Sequence, residues 1–347
     1  MAMPAPGAAP APPFAEPPAF GEVTPVADGI LWLRLPLPYQ LDHVNIFLIE
    51  EADGWAVVDT GISDDITRAI WDAVLAGPLR GNRLSRLVIT HHHPDHMGLA
   101  GWLADRFDLP VHMTQTEYLM GKYLGTSPGA ISGAFQHRHY ARHGAPPEQA
   151  HIVVQRGHNY LGRITGLPDT IQTMEAGRSL TLGGRRFTIL TGGGHSPAQA
   201  MLYCADQSLF LAADQIIERI SPNVSVLAME PNANPLGAFI ASLGRIKGQV
   251  APDALTLSGH RLPLINPHQR ADELIAHHIA RCGQLLQGLG SEACSVAELT
   301  PLLFPRALDP HQLSFAFSET LAHVNYLLDL GELLATETDG VLRLRAA

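Results

Sequence analysis

Thr90-His91-His92-His93-Pro94-Asp95-His96 closes the apolar run RLVIT (86–90). Four side chains of metal-ligand type, in the order His-x-His-x-Asp-His, fall within six residues. Imidazole and carboxylate together suit zinc and similar borderline divalent ions. Where a chain leaves a strand, neighbouring α-carbons stay close while their side chains diverge. His91 and His93 can therefore serve one ion while Asp95 and His96 serve another, and His92, between them, points away. The competing reading is a surface turn of solvated histidines. It sits poorly with a histidine-dense segment directly after an apolar strand.

Outward from this segment the chain reads as layers. ILWLRL (30–35), VNIFLIE (44–50) and WAVVDTG (55–61) are short apolar runs bounded by turn residues, hence strands. Ser63 or Asp64 is placed to cap a helix from about Asp65 to Leu75, with Ile66, Ile70 and Val74 on one face. A helix through GLAGWLADRF and a strand at LPVHM (109–113) follow. This is a β-meander entering βαβ units. Residues 115–165 are long, polar and helical in pattern, with HRHYARH at 137–143, and read as a helical lid insertion over one edge of the core. RSLTL, RRFTILT, AMLYC and SLFLAAD, within 178–214, form a second strand-rich block. A helix near 235–247, a strand at ALTLS (254–258) and a helix around 268–289 complete it.

The last fifty or so residues read as a small module. SVAEL and the stretch after Asp309 are helical, with Leu313, Phe317, Leu321, Val324 and Leu328 spaced as one apolar face. LLATETDGVLRLR forms a hairpin turning at Asp339-Gly340. Helices followed by a two-stranded wing suggest a winged-helix-like unit. The expected organisation is a disordered Ala/Pro-rich tail over 1–22, a catalytic domain over 23–290 and the winged-helix-like module over 291–347.

Composition narrows the field. Hydrophobic residues make up 46% of the chain and charged ones 16%, which suffices for a large core. A net charge of −10 disfavours nucleic acid as a partner. Cys204, Cys282 and Cys294 are too scattered for a disulfide framework and read as small apolar fillers in a reducing compartment. The Ala/Pro-rich start lacks the basic residues and unbroken apolar run of a secretory signal. No apolar run of about 18 residues suggests a membrane span. A cytoplasmic location is expected.

Three further ligand-type residues follow strands. His195 lies in TGGGHSP, Asp214 ends SLFLAAD, and His260 lies in SGHRLP. Each is weak alone; together they repeat one event, a strand ending on a ligand-type residue, which is where αβ layers place their sites. HHHPDH, GGGHSP, LAAD and SGH resemble, in order and separation, the metal motifs of the metallo-β-lactamase superfamily, over about residues 29–265. The resemblance implies a four-layer αβ/βα sandwich. It also implies one site from His91, His93 and His195, a second from Asp95, His96 and His260, and Asp214 bridging both. WAVVDTG places Asp59 where the family orients its ligands. Two departures stand out: Ala212-Ala213-Asp214 replaces a common Ser-Gly-Asp, and GHSPAQA lacks the usual Gly-His after proline.

The implied cofactors are two divalent metal ions, zinc first, with iron or manganese as alternatives. Paired cations lower the pKa of a bridging water from about 16 toward neutrality, giving a hydroxide nucleophile. Asp95 is the expected catalytic residue, orienting that nucleophile and passing on a proton. The expected function is a metal-dependent hydrolase of a small acyl substrate: a thioester, lactone or ester. It is similar to glyoxalase II, although no basic cluster marks a glutathione site. The alternatives are a lactamase-like endoribonuclease, with Arg343 and Arg345 the only basic residues of its wing, a mono-iron persulfide-dioxygenase-like enzyme, and a non-enzymatic metal-containing interaction protein. Tyr118, Tyr123, Phe135, Tyr140, His158 and Tyr160 could line a pocket, with packing the simpler explanation of each. Ser221 and Asn223 either touch substrate or shape a turn. The apolar face of the C-terminal helix suggests a homodimer contact.

Overall fold

The computed structural model describes residues 13–127, 134–156 and 158–347. Its first sheet has seven strands in chain order: β1 (Val23–Ala27), β2 (Ile30–Pro36), β3 (His43–Glu51), β4 (Gly54–Val58), β5 (Leu84–Val88), β6 (Val111–Met113) and β7 (Gln172–Thr173). β1 to β4 run antiparallel, and β4 to β7 parallel. The second sheet holds β8 (Ser179–Leu182), β9 (Arg185–Gly192), β10 (Gln199–Cys204), β11 (Leu209–Ala213) and β12 (Leu255–Ser258), in the order β12-β11-β10-β9-β8.

The alternation of side chains along each strand decides the layering. On β2, Ile30 and Trp32 face one core while Leu33 and Leu35 face another; on β3, Phe47 and Ile49 oppose Ile46 and Leu48 in the same way. On β10, Ala200, Leu202 and Cys204 share the inner core with Trp32 and Phe47, while Met201 and Tyr203 turn outward. The sheets thus pack face to face. The outer face of the first is covered by α1 (Asp65–Ala76) and α3 (Ala100–Phe107); that of the second by α8 (Pro235–Gln249) and α9 (Pro267–Gly288). The expected four-layer αβ/βα sandwich results, with both sheets buried on two sides, which is why their strands read as near-continuous apolar runs.

Several local expectations are corrected. α1 is capped by Asp64, whose Oδ1 accepts from Thr67 N at 2.8 Å. Its buried face, however, is Thr67, Trp71 and Val74, and Ile66 is 63% exposed. The indole sets the rotation, because Trp71 Nε1 donates to Thr60 O at 2.9 Å. β1 forms within VTPVA, ahead of the first expected strand, and tolerates Pro25 because it lies at the sheet edge. Of the Ala/Pro-rich stretch, residues 1–12 lie outside the described residues. Phe14 packs edge-on against Trp32, with ring centroids 5.9 Å apart, so this later part is laid on the sheet rather than free.

The insertion contains α4 (Gln115–Thr126), α5 (Ala134–Arg142), α6 (Pro147–Arg156) and α7 (His158–Leu161). Its aromatic residues are largely structural. Tyr118 Oη donates to Pro168 O at 3.0 Å, Tyr160 Oη to His92 O at 2.8 Å, and Tyr140 packs on Phe317. The His158 side chain lies outside the described residues. α10 (Val296–Leu303), α11 (Pro310–Asp329) and the hairpin β13 (Leu333–Thr338)–β14 (Val341–Ala346) follow. Asp339 and Gly340 both have positive φ, 52° and 75°, which suits a two-residue hairpin turn. Phe317, Leu321 and Val324 of α11 are buried with Phe239, Leu243 and Leu285 of α8 and α9. Much of the apolar face expected to form a dimer contact is therefore packed within the chain. No helix among the described residues is long and apolar enough to cross a membrane.

Candidate metal centre

β5 ends at Val88, and the chain turns through the histidine cluster into a single helical turn, α2 (Pro94–Met97), capped by His93 with Pro94 in its first turn. His96 is thereby driven inward and has no solvent exposure. β9, β11 and β12 end at the same crevice and deliver His195, Asp214 and His260. Ala200 N, at the far side of the His195 loop, donates to Thr90 O at 2.8 Å and locks the two loops together.

All seven expected side chains meet there. His91 Nε2 and His93 Nδ1 stand 3.0 Å apart. Asp214 Oδ2 is the hub, at 3.3 Å from Nε2 of His195, 3.3 Å from Nε2 of His260 and 3.4 Å from Nε2 of His96. Asp95 Oδ2 lies 3.4 Å from His260 Nε2 and 3.6 Å from His96 Nε2. Three sets, His91–His93–His195, His91–His96–Asp214 and Asp95–His96–His260, each bring their ligand atoms within 4.8 Å of one another. These spacings exceed those of charge-assisted hydrogen bonds. They match the edges of a tetrahedron around an ion with ligands at 2.0–2.1 Å, about 3.3 Å by geometry.

The outer nitrogens set the tautomers. Asp59 accepts from Thr90 N, Thr90 Oγ1 and His96 Nδ1, each at 2.8 Å. A carboxylate only accepts, so the Thr90 hydroxyl donates to it and must accept from His91 Nδ1, 2.9 Å away. His195 Nδ1 donates to Asn223 O at 2.8 Å and His260 Nδ1 to His43 O at 2.7 Å. Four imidazoles thus present Nε2 inward. Nε2 of His96, Nε2 of His195 and Oδ1 of Asp214 are buried without hydrogen-bond partners. Orphaned buried polar atoms converging on one point fit a cation.

Electrostatics agrees. Burial and the neighbouring histidines hold His91 and His93 well below the usual imidazole range, hence neutral. At His260, burial opposes charge but is outweighed by Asp214 and Asp95, which push it up to about 10; His96 is raised for the same reason. Against the effect of burial, His96 and His260 hold both Asp95 and Asp214 below the usual carboxylate range, which gives the crevice the negative charge that attracts a cation. A side chain at Gly259 would collide with Asp214 Oδ1 and His96, so the glycine of the SGH motif keeps space open. Ala213, at φ 46°, holds the left-handed backbone that glycine adopts more readily.

Several supporting residues escaped sequence reasoning. Glu117, fully buried on α4, accepts from His92 Nδ1 at 2.5 Å, His92 N at 3.1 Å, Ser196 Oγ at 2.8 Å and Ala198 N at 2.6 Å. It ties the histidine cluster to the His195 loop. Asn45 donates to Ser258 O at 2.9 Å and Arg261 O at 2.8 Å, and so holds the His260 loop. His43 receives Arg261 N at 2.8 Å. Asn223 and Ser221 belong to a supporting loop: Asn223 carries the carbonyl that orients His195, and Ser221 Oγ faces His278 Nε2 at 3.1 Å. Replacing Asp59 with Asn should weaken metal affinity by roughly 10- to 100-fold, because an amide is a poorer acceptor from His96. A zinc-binding titration checks this; an unchanged affinity would remove Asp59 from the centre.

Two facing sheets with imidazoles and carboxylates on the loops at one edge define a layered αβ fold built around a metal crevice. The chain belongs to the metallo-beta-lactamase superfamily: residues 39–271 match that family, and residues 282–347 match the metallo-beta-lactamase-like C-terminal domain. It is similar to the solved structure of a beta-lactamase domain protein from Burkholderia ambifaria. That protein is 36% identical, with 97% of this chain and 98% of that one covered and a TM-score of 0.88. A metallo-beta-lactamase family protein from Thermus thermophilus is 31% identical, with 93% and 100% covered and a TM-score of 0.80. The probable metallo-hydrolase YqjP of Bacillus subtilis (strain 168) is 21% identical over 314 residues, covering 86% of this chain and 92% of that protein.

Proposed function

We propose that the chain is a hydrolase of a small acyl substrate, a thioester, lactone or ester, working with two divalent cations, zinc in the first place. His91, His93 and His195 would hold one, Asp95, His96 and His260 the other, and Asp214 both. The observation that carries this reading is the inward convergence of anchored Nε2 atoms on Asp214 Oδ2, with three buried polar atoms left without partners. When bound, such ions acidify water and polarise an electrophilic oxygen.

The chain's own residues supply the rest. Asp95 has a side chain 22% exposed, against 0% for His96, 5% for Asp214 and 2% for His260. It is the most open of these four groups, which suits accepting a proton at the mouth of the crevice. The outer hydrogen bonds of Asp59, Thr90, Asn223 and His43 keep the lone pairs inward without reorganisation.

A nucleic-acid substrate is less supported. The chain is acidic, and Arg343, one of two basic residues in the C-terminal hairpin, is paired with Glu298 at 2.8 Å.

Elemental analysis of protein purified without chelator is expected to give at least two zinc ions per chain. A panel of thioester, lactone, nitrophenyl ester, cephalosporin and short RNA should show chelator-sensitive turnover of an acyl compound. One iron per chain with no hydrolysis of any of them would replace this reading with an oxygenase.

A further inference from the structure

We propose that the chain holds a further divalent cation of the zinc class between α9 and α11, ligated by His278, His323 and Glu319. His278 Nδ1 and His323 Nε2 face each other at 3.1 Å, and ligand atoms of His278, Glu319 and His323 all lie within 4.8 Å of one another. Both imidazoles are fully buried. Glu319 and His323 are four residues apart on α11, so they share one face, and His278 reaches that face from the neighbouring helix. Two ligands one turn apart with a third from across a helix pair fill three positions of a tetrahedral shell or half of an octahedral one, with the rest left for water.

The anchoring repeats that of the principal centre. His323 Nδ1 donates to Glu319 O at 2.7 Å, which leaves its Nε2 lone pair inward. His278 Nε2 stands 3.1 Å from Ser221 Oγ. With the proton of His278 on Nε2, donated to Ser221, its Nδ1 lone pair also turns inward. The 3.1 Å separation of the two inner nitrogens compares with 3.0 Å between His91 Nε2 and His93 Nδ1.

Without an ion, one inner nitrogen must instead donate to the other. That arrangement satisfies the imidazoles but does nothing for the carboxylate. Arg281 Nη2 stands 3.7 Å from Glu319 Oε1, beyond hydrogen-bond reach, and the Glu319 side chain is only 13% exposed. Burial pushes Glu319 up to about 7 and holds His278 and His323 near 3 and 4, so the imidazoles are neutral, the form that binds metal. An ion would satisfy all three groups, pin α9 to α11 and steady Ser221, two residues from the Asn223 carbonyl that orients His195.

The test counts zinc in the full chain and in Glu319→Gln and His323→Gln after identical zinc loading and desalting, with circular dichroism confirming each fold. Each variant is expected to carry one ion fewer than the parent. The result is a difference, so it stands whatever the principal centre holds. Crystals of the zinc-loaded parent should also give an anomalous peak between His278 and His323, which decides the matter if neither variant folds. Equal metal counts in the parent and both folded variants, or a map without that peak, overturns the proposal.

Discussion

Asp214→Ala is expected to lose metal from both halves of the principal centre and to lower turnover by about a hundred- to a thousandfold, the scale on which removing preorganised charge acts. Its Oδ2 is the group that stands 3.3–3.4 Å from three separate imidazoles. Burial resists its ionisation, but His260 and His96 outweigh burial and hold it well below the usual carboxylate range. Removing it subtracts a buried negative charge from a cluster of imidazoles, so a cation would meet fewer ligands and less attraction. Asp214→Asn separates the two effects, since it keeps the shape and one oxygen without the charge. Elemental analysis and turnover on the same samples check the outcome. A metal content equal to the parent's would show that the carboxylate bridges nothing.

Glu117→Ala carries the largest expected loss of stability, about 3–5 kcal/mol, the range for removing one partner of a buried, hydrogen-bonded charge group. Four donors from His92, Ser196 and Ala198 would be stranded in a dry environment. Because these donors hold the loops of His91, His93 and His195, metal affinity should fall too, although Glu117 is not placed among the ligands. Thermal unfolding with and without zinc separates the contributions. An unchanged Tm would mean that water replaces the carboxylate. Acid should act in the same direction. Burial raises the Glu117 pKa, but His92 and the other donors outweigh it, and the net shift is downward. A carboxylate depressed in the folded state contributes stability above its unfolded pKa, and that stability is lost as pH falls through the folded value.

The candidate centre was largely legible because the side chains that meet there are local in sequence or tied to strand ends. His91 to His96 fall in one turn, and Gly-bearing loops after apolar strands mark His195 and His260. The layering followed from strand runs buried on both faces. Periodicity misplaced the face of α1, because one tryptophan outweighed two isoleucines once the sheet and Thr60 were in place. It also could not show that the apolar face of α11 packs largely against α8, α9 and α10 within the chain.

Residue chemistry and spacing alone establish which side chains can bind a cation and that they follow strands, since those properties are carried by neighbours in the chain. The tautomers are different. They depend on Asp59 reaching across 37 positions to His96, on His43 reaching 217 positions to His260, and on Asn223 reaching 28 to His195. Glu117 reads as an ordinary helix residue until folding sets it against His92 and Ser196, and His278 meets His323 only because α9 and α11 pack side by side. Hydrogen bonds of that reach leave no periodic trace in a sequence, and only the packed chain brings their donors and acceptors together.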